Sequence, residues 1–429
     1  MAKKYFIIAI IVSLGFFVFL NFSRPIKIQG DGVFYYSYLH AVVFNHSLDV
    51  HDELSYFSAY DSGSQWFIQN NIKTPTGHTP NAYAWGTAIF WLPFIFIATL
   101  ITWIANFFGH NLSLDGYSYW YVMAVNFGTL VAGFLVLWIN YKIVRRLFDE
   151  KSAVKSLALI LLATPFIYYQ FFEPSMSHII SLFLVSTFIY LVFSEWLDYQ
   201  RHPWLLALVV FLMIATRWQN AIFCVLYLPI ILRTAKISIP NSLIQAFKFV
   251  LPVAIFAVIQ GLLWHYLYGS YFLTPQGVRF IRPEFHGLYT LFSSDRGLLL
   301  WSPVLILAII GWPWLWIKSK FLAIMAVLIF VGQWILNSSL NDLGGGDAFG
   351  GRRFIELLPF FALTLTALVE RFGQYIRAWR LVIVVFIFWN LLLVENYRLG
   401  FIQHSGTFNV FRVNYFQAVE RDYNHFIHK

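Results

Sequence analysis

Asp31 stands between two glycines in Lys27-Ile-Gln-Gly-Asp-Gly-Val-Phe-Tyr-Tyr36, just past the first hydrophobic stretch of the chain. A carboxylate is costly to keep at a membrane edge, and ionisable groups at membrane depth mark function by default. Such a group can act as general base or hold a divalent cation. An Asp ahead of an apolar helix also caps it. Further along, Phe171-Phe-Glu-Pro-Ser-Met-Ser-His178 sets Glu173 and His178 five residues apart at the edge of another apolar run. Both side chains can face one cavity there, and Ser175 or Ser177 can cap the helix that follows. Asp31, Glu173 and His178 are the candidates for a metal, if one is bound. Arg217, in Thr216-Arg-Trp-Gln-Asn220, interrupts the apolar run 203–232. An arginine in that setting needs a partner, and a phosphate or a carboxylate such as Glu173 would serve.

Three other stretches offer anion chemistry. Lys73-Thr-Pro-Thr-Gly-His-Thr-Pro80 is a run of turn formers ending at an apolar segment. In it Lys73 and His78 can meet an anionic head group, or simply snorkel to the interface. The loop 269–296 holds Arg279, Arg282, Glu284, His286, Asp295 and Arg296. The loop 340–354 packs five glycines, Asp347, Arg352 and Arg353 ahead of a helix. Glycines admit backbone N–H groups to an anion and a helix N-terminus favours one; the same pattern makes a flexible turn with two interfacial arginines. It is no Walker motif, because the Gly-Lys-Ser/Thr ending is missing. The first loop also carries Asp49, Asp52, Glu53 and Asp61, of which Asp52 and Glu53 read as a solvated pair. No Ser/His/Asp elbow, zinc spacing or dinucleotide fingerprint is present.

The elements that must position these groups are membrane helices. The chain of 429 residues is 59% hydrophobic and 11% charged, far from the roughly 45–50% and 25% of soluble domains. Apolar runs near 20 residues recur, each long enough for a bilayer core of about 30 Å. The net charge of +9 sits in short loops and serves topology, not nucleic acid. The one cysteine, Cys224, forms no intrachain disulfide. Placing Lys142–Lys155, Arg233–Lys248, Lys318–Lys320 and Arg371–Arg380 inside, with the N-terminus, gives spans near 5–22, 117–141, 155–172, 178–196, 203–216, 220–232, 247–268, 297–317, 321–338, 354–370 and 380–396. The first span reads as retained rather than as a signal peptide. The same rule makes 83–108 a re-entrant or interfacial segment broken near Pro93. The outward loops are then 23–82, 173–178, 217–220, 269–296 and 339–353, where most of the unusual residues lie. The expectation is an all-α polytopic protein of about 11 spans, with a membrane domain over 1–396 and a short outer tail over 397–429.

The order of these features resembles the GT-C superfamily of membrane glycosyltransferases, nearest to its bacterial protein-mannosyltransferase and lipid A aminoarabinose transferase type (glycosyltransferase family 39-like). Gly30-Asp31-Gly32-Val-Phe-Tyr-Tyr36 resembles that superfamily's acidic first outer loop, Glu173-Pro174 its second acid, and Arg217 its basic residue in the following hydrophobic stretch. Lys73–Pro80 approximates the basic-Pro segment, and Phe292–Leu298 and Gly350-Gly-Arg-Arg-Phe354 are similar to segments of uncharacterised bacterial members. The likeness runs over roughly 1–370. A single Asp replaces the family's acidic pair, and the large outer domain of some relatives is missing. The resemblance implies inverting sugar transfer from a polyprenyl-phosphate donor to a glycan, lipid or protein at the outer face of a bacterial inner membrane. It implies Asp31 as base, Glu173 assisting, and Arg217, Arg352 and Arg353 neutralising the departing phosphate. A divalent cation stays open. Rival readings are a lipid-linked glycan polymerase or ligase, and a flippase or transporter; the latter needs polar paths through both leaflets and inverted repeats.

Overall fold

A computed structural model describes residues 2–23, 26–273, 284–410, 413–414, 416–417 and 420–421. Arg279, Arg282 and much of the tail 397–429 lie outside the described residues. Among those described the protein is helical throughout. In chain order the helices are α1 (Ala2–Ser23), α2 (Asp31–Val43), α3 (His51–Phe57), α4 (Ser62–Gln69), α5 (Gly86–Phe107), α6 (Tyr119–Arg145), α7 (Glu150–Leu162), α8 (Phe166–Phe171), α9 (His178–Asp198), α10 (Pro203–Thr216), α11 (Leu228–Ala235), α12 (Ile239–Tyr268), α13 (Gly287–Phe292), α14 (Leu298–Trp301), α15 (Val304–Ile310), α16 (Trp312–Lys318), α17 (Lys320–Ser338), α18 (Leu358–Arg371) and α19 (Ile376–Arg398), with 3-10 turns over Trp218–Tyr227 and Arg352–Leu357.

Seven helical stretches among the described residues are long and apolar enough to cross a membrane: α5, α6, α9, Trp218–Ala235, α12, α17 and α19. The expected spans 5–22 and 203–216 are the shorter apolar helices α1 and α10, and three others take different forms. The run 155–172 is split into α7 and α8 at Ala163–Pro165, and Asn390 donates to the Leu162 and Thr164 carbonyls that the break exposes, at 2.9 and 3.1 Å. The run 297–317 falls into three short helices, α14 to α16, parted near Pro303 and Gly311. Hydropathy registers apolar composition but not these interruptions, where proline removes a donor. The run 354–370 begins as a 3-10 turn and continues as α18, whose residues from Leu358 to Val369 are all buried in protein. The segment 83–108 also differs from expectation: α5 passes through Pro93 without a break. A membrane helix tolerates a proline where its neighbours satisfy the freed carbonyl.

The chain forms two compact units, residues 7–136 with 170–277, and residues 1–6 with 137–169 and 278–429. In the first, α2 is the organising element. Its residues from Gly32 to Ala41 are all buried, and it packs on α3 and α5. Both flanks of α5 are tied to it. Ahead of α5, Asn81 donates to the Phe34 carbonyl at 2.9 Å and accepts on its own carbonyl from Tyr38 at 2.8 Å. After α5, the Tyr36 hydroxyl donates to the Gly116 carbonyl and His40 Nε2 to that of Asp115 at 2.8 Å. Helix α4 starts at a true cap, Asp61, whose Oδ2 accepts from the Ser64 N–H and hydroxyl at 2.8 Å. In the second unit α18 is the buried centre, packed by α7, α15 and α16.

Candidate functional site

The head of α2 is a turn built to place Asp31. The N-cap is Gly30, not Asp31, and no side chain caps the helix, so the capping role open to Asp31 from sequence is not the one it takes. Gly30 adopts φ 56° and ψ −136°, a conformation that costs glycine little and other residues much. Asp61 fixes it by accepting the Gly30 N–H at 2.9 Å. Asp61 is 93% buried, at 7% exposure, and serves both this turn and α4. Asp31 follows as the first helical residue, half-buried, and its Oδ1 accepts from the Tyr83 hydroxyl at 3.0 Å. A carboxylate in the first helical turn also suits the helix dipole.

The Glu173–His178 segment lies against this turn. A Cβ at Gly32 would sit 2.4 Å from Ser175 Oγ and 2.8 Å from the Ser175 carbonyl oxygen, so only glycine allows the approach. The Ser177 hydroxyl donates to Tyr35 at 3.2 Å instead of capping α9. The Pro174 carbonyl accepts from Thr129 at 2.7 Å. His178, the first residue of α9, is buried and contacts the Arg217 guanidinium through Nδ1. A guanidinium only donates, so this nitrogen accepts and the imidazole proton sits on Nε2. Arg217 ends α10 in an extended conformation. Turned about its amide, Gln219 also accepts from it, at 2.6 and 3.2 Å. The start of α5 closes on the same place: a Cβ at Gly86 would lie 2.4 Å from backbone atoms of Ala215 and Thr216. Thus Asp31, the Glu173–His178 segment and Arg217 belong to one neighbourhood, joined by Tyr83, Tyr35 and Ser177. Among the described residues no three His, Cys, Asp or Glu side chains come together as a metal site, so Asp31, Glu173 and His178 do not form a three-ligand set.

Lys73 and His78 form a separate cluster in the same unit. Lys73 Nζ is 3.1 Å from Thr79 Oγ1 and 3.3 Å from His51 Nδ1. His78 stacks on Tyr266 at 4.4 Å and pairs with Asp49 at 3.4 Å. One turn along α12 from Tyr266 begins an apolar groove of about 390 Å³, lined by Tyr38, Leu39 and Val42 of α2, Trp85 and Leu92, and Leu263 of α12. Tyr38 lies seven residues from Asp31, about 10 Å along the helix.

The glycine–arginine residues lie in the other unit. Arg296 is 4% exposed and donates to Asp295, to the His404 carbonyl and, at 2.8 Å, to the Ala348 carbonyl. Arg352 donates to the Gly345 carbonyl at 2.6 Å, and Arg353 to Asp342, its carboxylate at 3.0 Å. Asp342 in turn accepts from the Gly345 and Gly346 N–H groups at 2.9 and 3.0 Å. Asp347 is exposed.

Sequence reasoning missed Tyr83 and Tyr35, which shape the Asp31 neighbourhood, and gave no role to Asp61, which fixes the Gly30 turn, or to His40, the partner of Glu53. It also misread Glu53. Far from solvated, Glu53 is fully buried and accepts from His40 at 2.9 Å and Asn45 at 2.7 Å, while Asp52 beside it is exposed. A histidine in the middle of an apolar helix was the available signal, since a buried imidazole calls for a partner. Compared with protein families, curated proteins and solved structures, the chain matches none.

Proposed function

We propose that the protein is a glycosyltransferase that moves a sugar from a polyprenyl-phosphate donor to a hydroxyl acceptor at the outer face of the membrane. The observation that carries this reading is the Asp31 carboxylate, set on a glycine turn, held by Tyr83, and neighboured by the His178–Arg217 pair. In the reaction Asp31 takes the proton of the acceptor hydroxyl as its oxygen attacks the anomeric carbon. The bond from that carbon to the phosphate oxygen breaks, the phosphate leaves with the bonding pair, and the configuration inverts. Arg217 meets the charge that develops on the phosphate, with the Nε2–H of His178 as a neutral donor. The apolar groove along α2 and α12 suits the isoprenoid chain of the donor, and Lys73 and His78 near its end suit an anionic group.

The test is sugar transfer in membranes, with a panel of polyprenyl-phosphate sugars and wild type beside Asp31→Asn. Removing a general base lowers the rate by about 10²–10⁴, and that is the loss expected. Equal transfer by both proteins, or donor crossing the bilayer without transfer, would overturn the reading in favour of a polymerase, ligase or flippase.

A further inference from the structure

We propose that Tyr83 is the positioning residue of Asp31, fixing the orientation of its carboxylate through the phenol. The inference rests on the reading of Asp31 as the base. Tyr83 comes from a different part of the chain, after the Lys73–Pro80 turn and before α5, and reaches back to Oδ1 at 3.0 Å.

Three contacts hold the phenol where it can do this. Its ring stacks on Phe34 at 4.7 Å, with planes 17° apart, and meets Tyr35 edge-on at 5.4 Å. Its backbone N–H donates to Asn81 Oδ1 at 3.1 Å. Asn81 is itself clamped on α2 by Phe34 and Tyr38. Phe34, Tyr35 and Tyr38 all stand on the helix that Asp31 begins, so Tyr83 is registered against the same rigid element as the carboxylate it holds. A carboxylate on a short side chain otherwise rotates broadly about χ2. A donor fixed to one oxygen removes that freedom and leaves the plane of the carboxylate set. Proton abstraction depends on such placement, since a small misalignment of reacting groups costs rate steeply. A hydrogen bond to a charged acceptor is also stronger than one between neutral groups.

The phenol and its ring can be separated experimentally. Tyr83→Phe removes the donor and keeps the packing on Phe34 and Tyr35, whereas Tyr83→Ala removes both. Two readouts follow, both on the full chain in detergent or membranes. The first is the infrared carboxylate band of Asp31, isolated as the difference between wild type and Asp31→Asn in protein carrying labelled aspartate. In Tyr83→Phe this band shifts, because carboxylate stretching follows hydrogen bonding; an unmoved band in a folded protein overturns the proposal. The second is steady-state transfer. Tyr83→Phe lowers kcat about tenfold and leaves KM for the donor within twofold, with the thermal midpoint unchanged. A change confined to KM, or a loss seen in Tyr83→Ala but not in Tyr83→Phe, gives Tyr83 a packing role only and overturns the proposal. The outcomes separate the two readings: a full-rate Asp31→Asn protein rejects the base assignment, whereas an inactive Asp31→Asn with a normal Tyr83→Phe rejects the positioning role alone.

Discussion

Two regions look alike in the sequence and differ in the structure. Around Asp31, and again over 340–354, charged side chains stand among glycines at the edge of an apolar run. In the first region a single carboxylate is presented by partners drawn from elsewhere: Asp61 holds the backbone of the turn and Tyr83 holds the side chain. In the second the basic side chains are spent on carbonyls and acids. Arg352 and Arg353 donate to the Gly345 carbonyl and to Asp342 of their own loop, and Arg296, from the preceding loop, is sunk among Asp295 and the Ala348 and His404 carbonyls. A carboxylate whose partners leave it accessible is a candidate for chemistry. A cation spent on backbone carbonyls is first of all a staple of that backbone.

That contrast can be broken by substitution. Arg296→Ala leaves the half-buried Asp295 beside Tyr289 without its cation, and the Ala348 and His404 carbonyls without their donor; breaking a fully buried pair costs about 3–5 kcal/mol, the upper end of what this site loses. A large drop in the unfolding midpoint is therefore expected, and Asp31→Asn, which keeps the shape of the side chain, should show almost none. Circular-dichroism melts of the two proteins would check this. An Arg296→Ala protein as stable as wild type would remove the distinction between the two regions.

Next in size is the close approach at Gly32. Alanine there drives a methyl group into Ser175, and such overpacking costs about 1–3 kcal/mol. Gly15→Ala in α1 is the control, because nothing lies within 4 Å of the added carbon; a helix interior gains up to about 1 kcal/mol from that exchange. Denaturant midpoints should therefore move in opposite directions for the two variants. If Gly32→Ala is as stable as wild type, Asp31 does not depend on a tight junction with the Glu173–His178 segment.

The smallest effect expected is an acid limb of stability with one contributor in each unit. Burial pushes the Asp115 carboxyl up, but hydrogen bonds from Ser113 and from the N–H groups of Tyr117 and Ser118 outweigh it and leave the group below its usual range. Asp149 behaves alike: burial raises it, and bonds from Ser152 and the Lys151 N–H bring it down. A carboxyl lowered by folding stabilises above its unfolded value of about 3.9 and loses that contribution as pH falls through the folded value. The midpoint should thus stay level from pH 7 to about 5 and decline below about pH 4, less steeply in Asp115→Asn and Asp149→Asn. An identical decline in both variants would remove these two carboxyls from the account.

Much of this was legible in the sequence, for a physical reason. Membrane class follows from composition, and Asp31 stands out because a carboxylate at such a place has a cost. The partners were not legible. Tyr83 lies 52 positions from Asp31, and nothing local to either residue signals their meeting. Glu53 read as solvated because Asp52 beside it is charged, yet a helix sends neighbouring side chains in different directions, and one is buried while the other is exposed. The count of about 11 spans is not matched by the seven described stretches long and apolar enough to cross a membrane, because proline and glycine interrupt apolar runs without changing their hydropathy.

The most direct measurement is the rate of sugar transfer per folded molecule, for Asp31→Asn beside Arg296→Ala, on preparations whose folded fraction is measured by thermal melting. The account predicts a folded Asp31→Asn protein with transfer reduced by about 10² or more, and an Arg296→Ala protein that is less stable but transfers near the wild-type rate per folded molecule. A folded Asp31→Asn protein that transfers sugar as fast as wild type would contradict it.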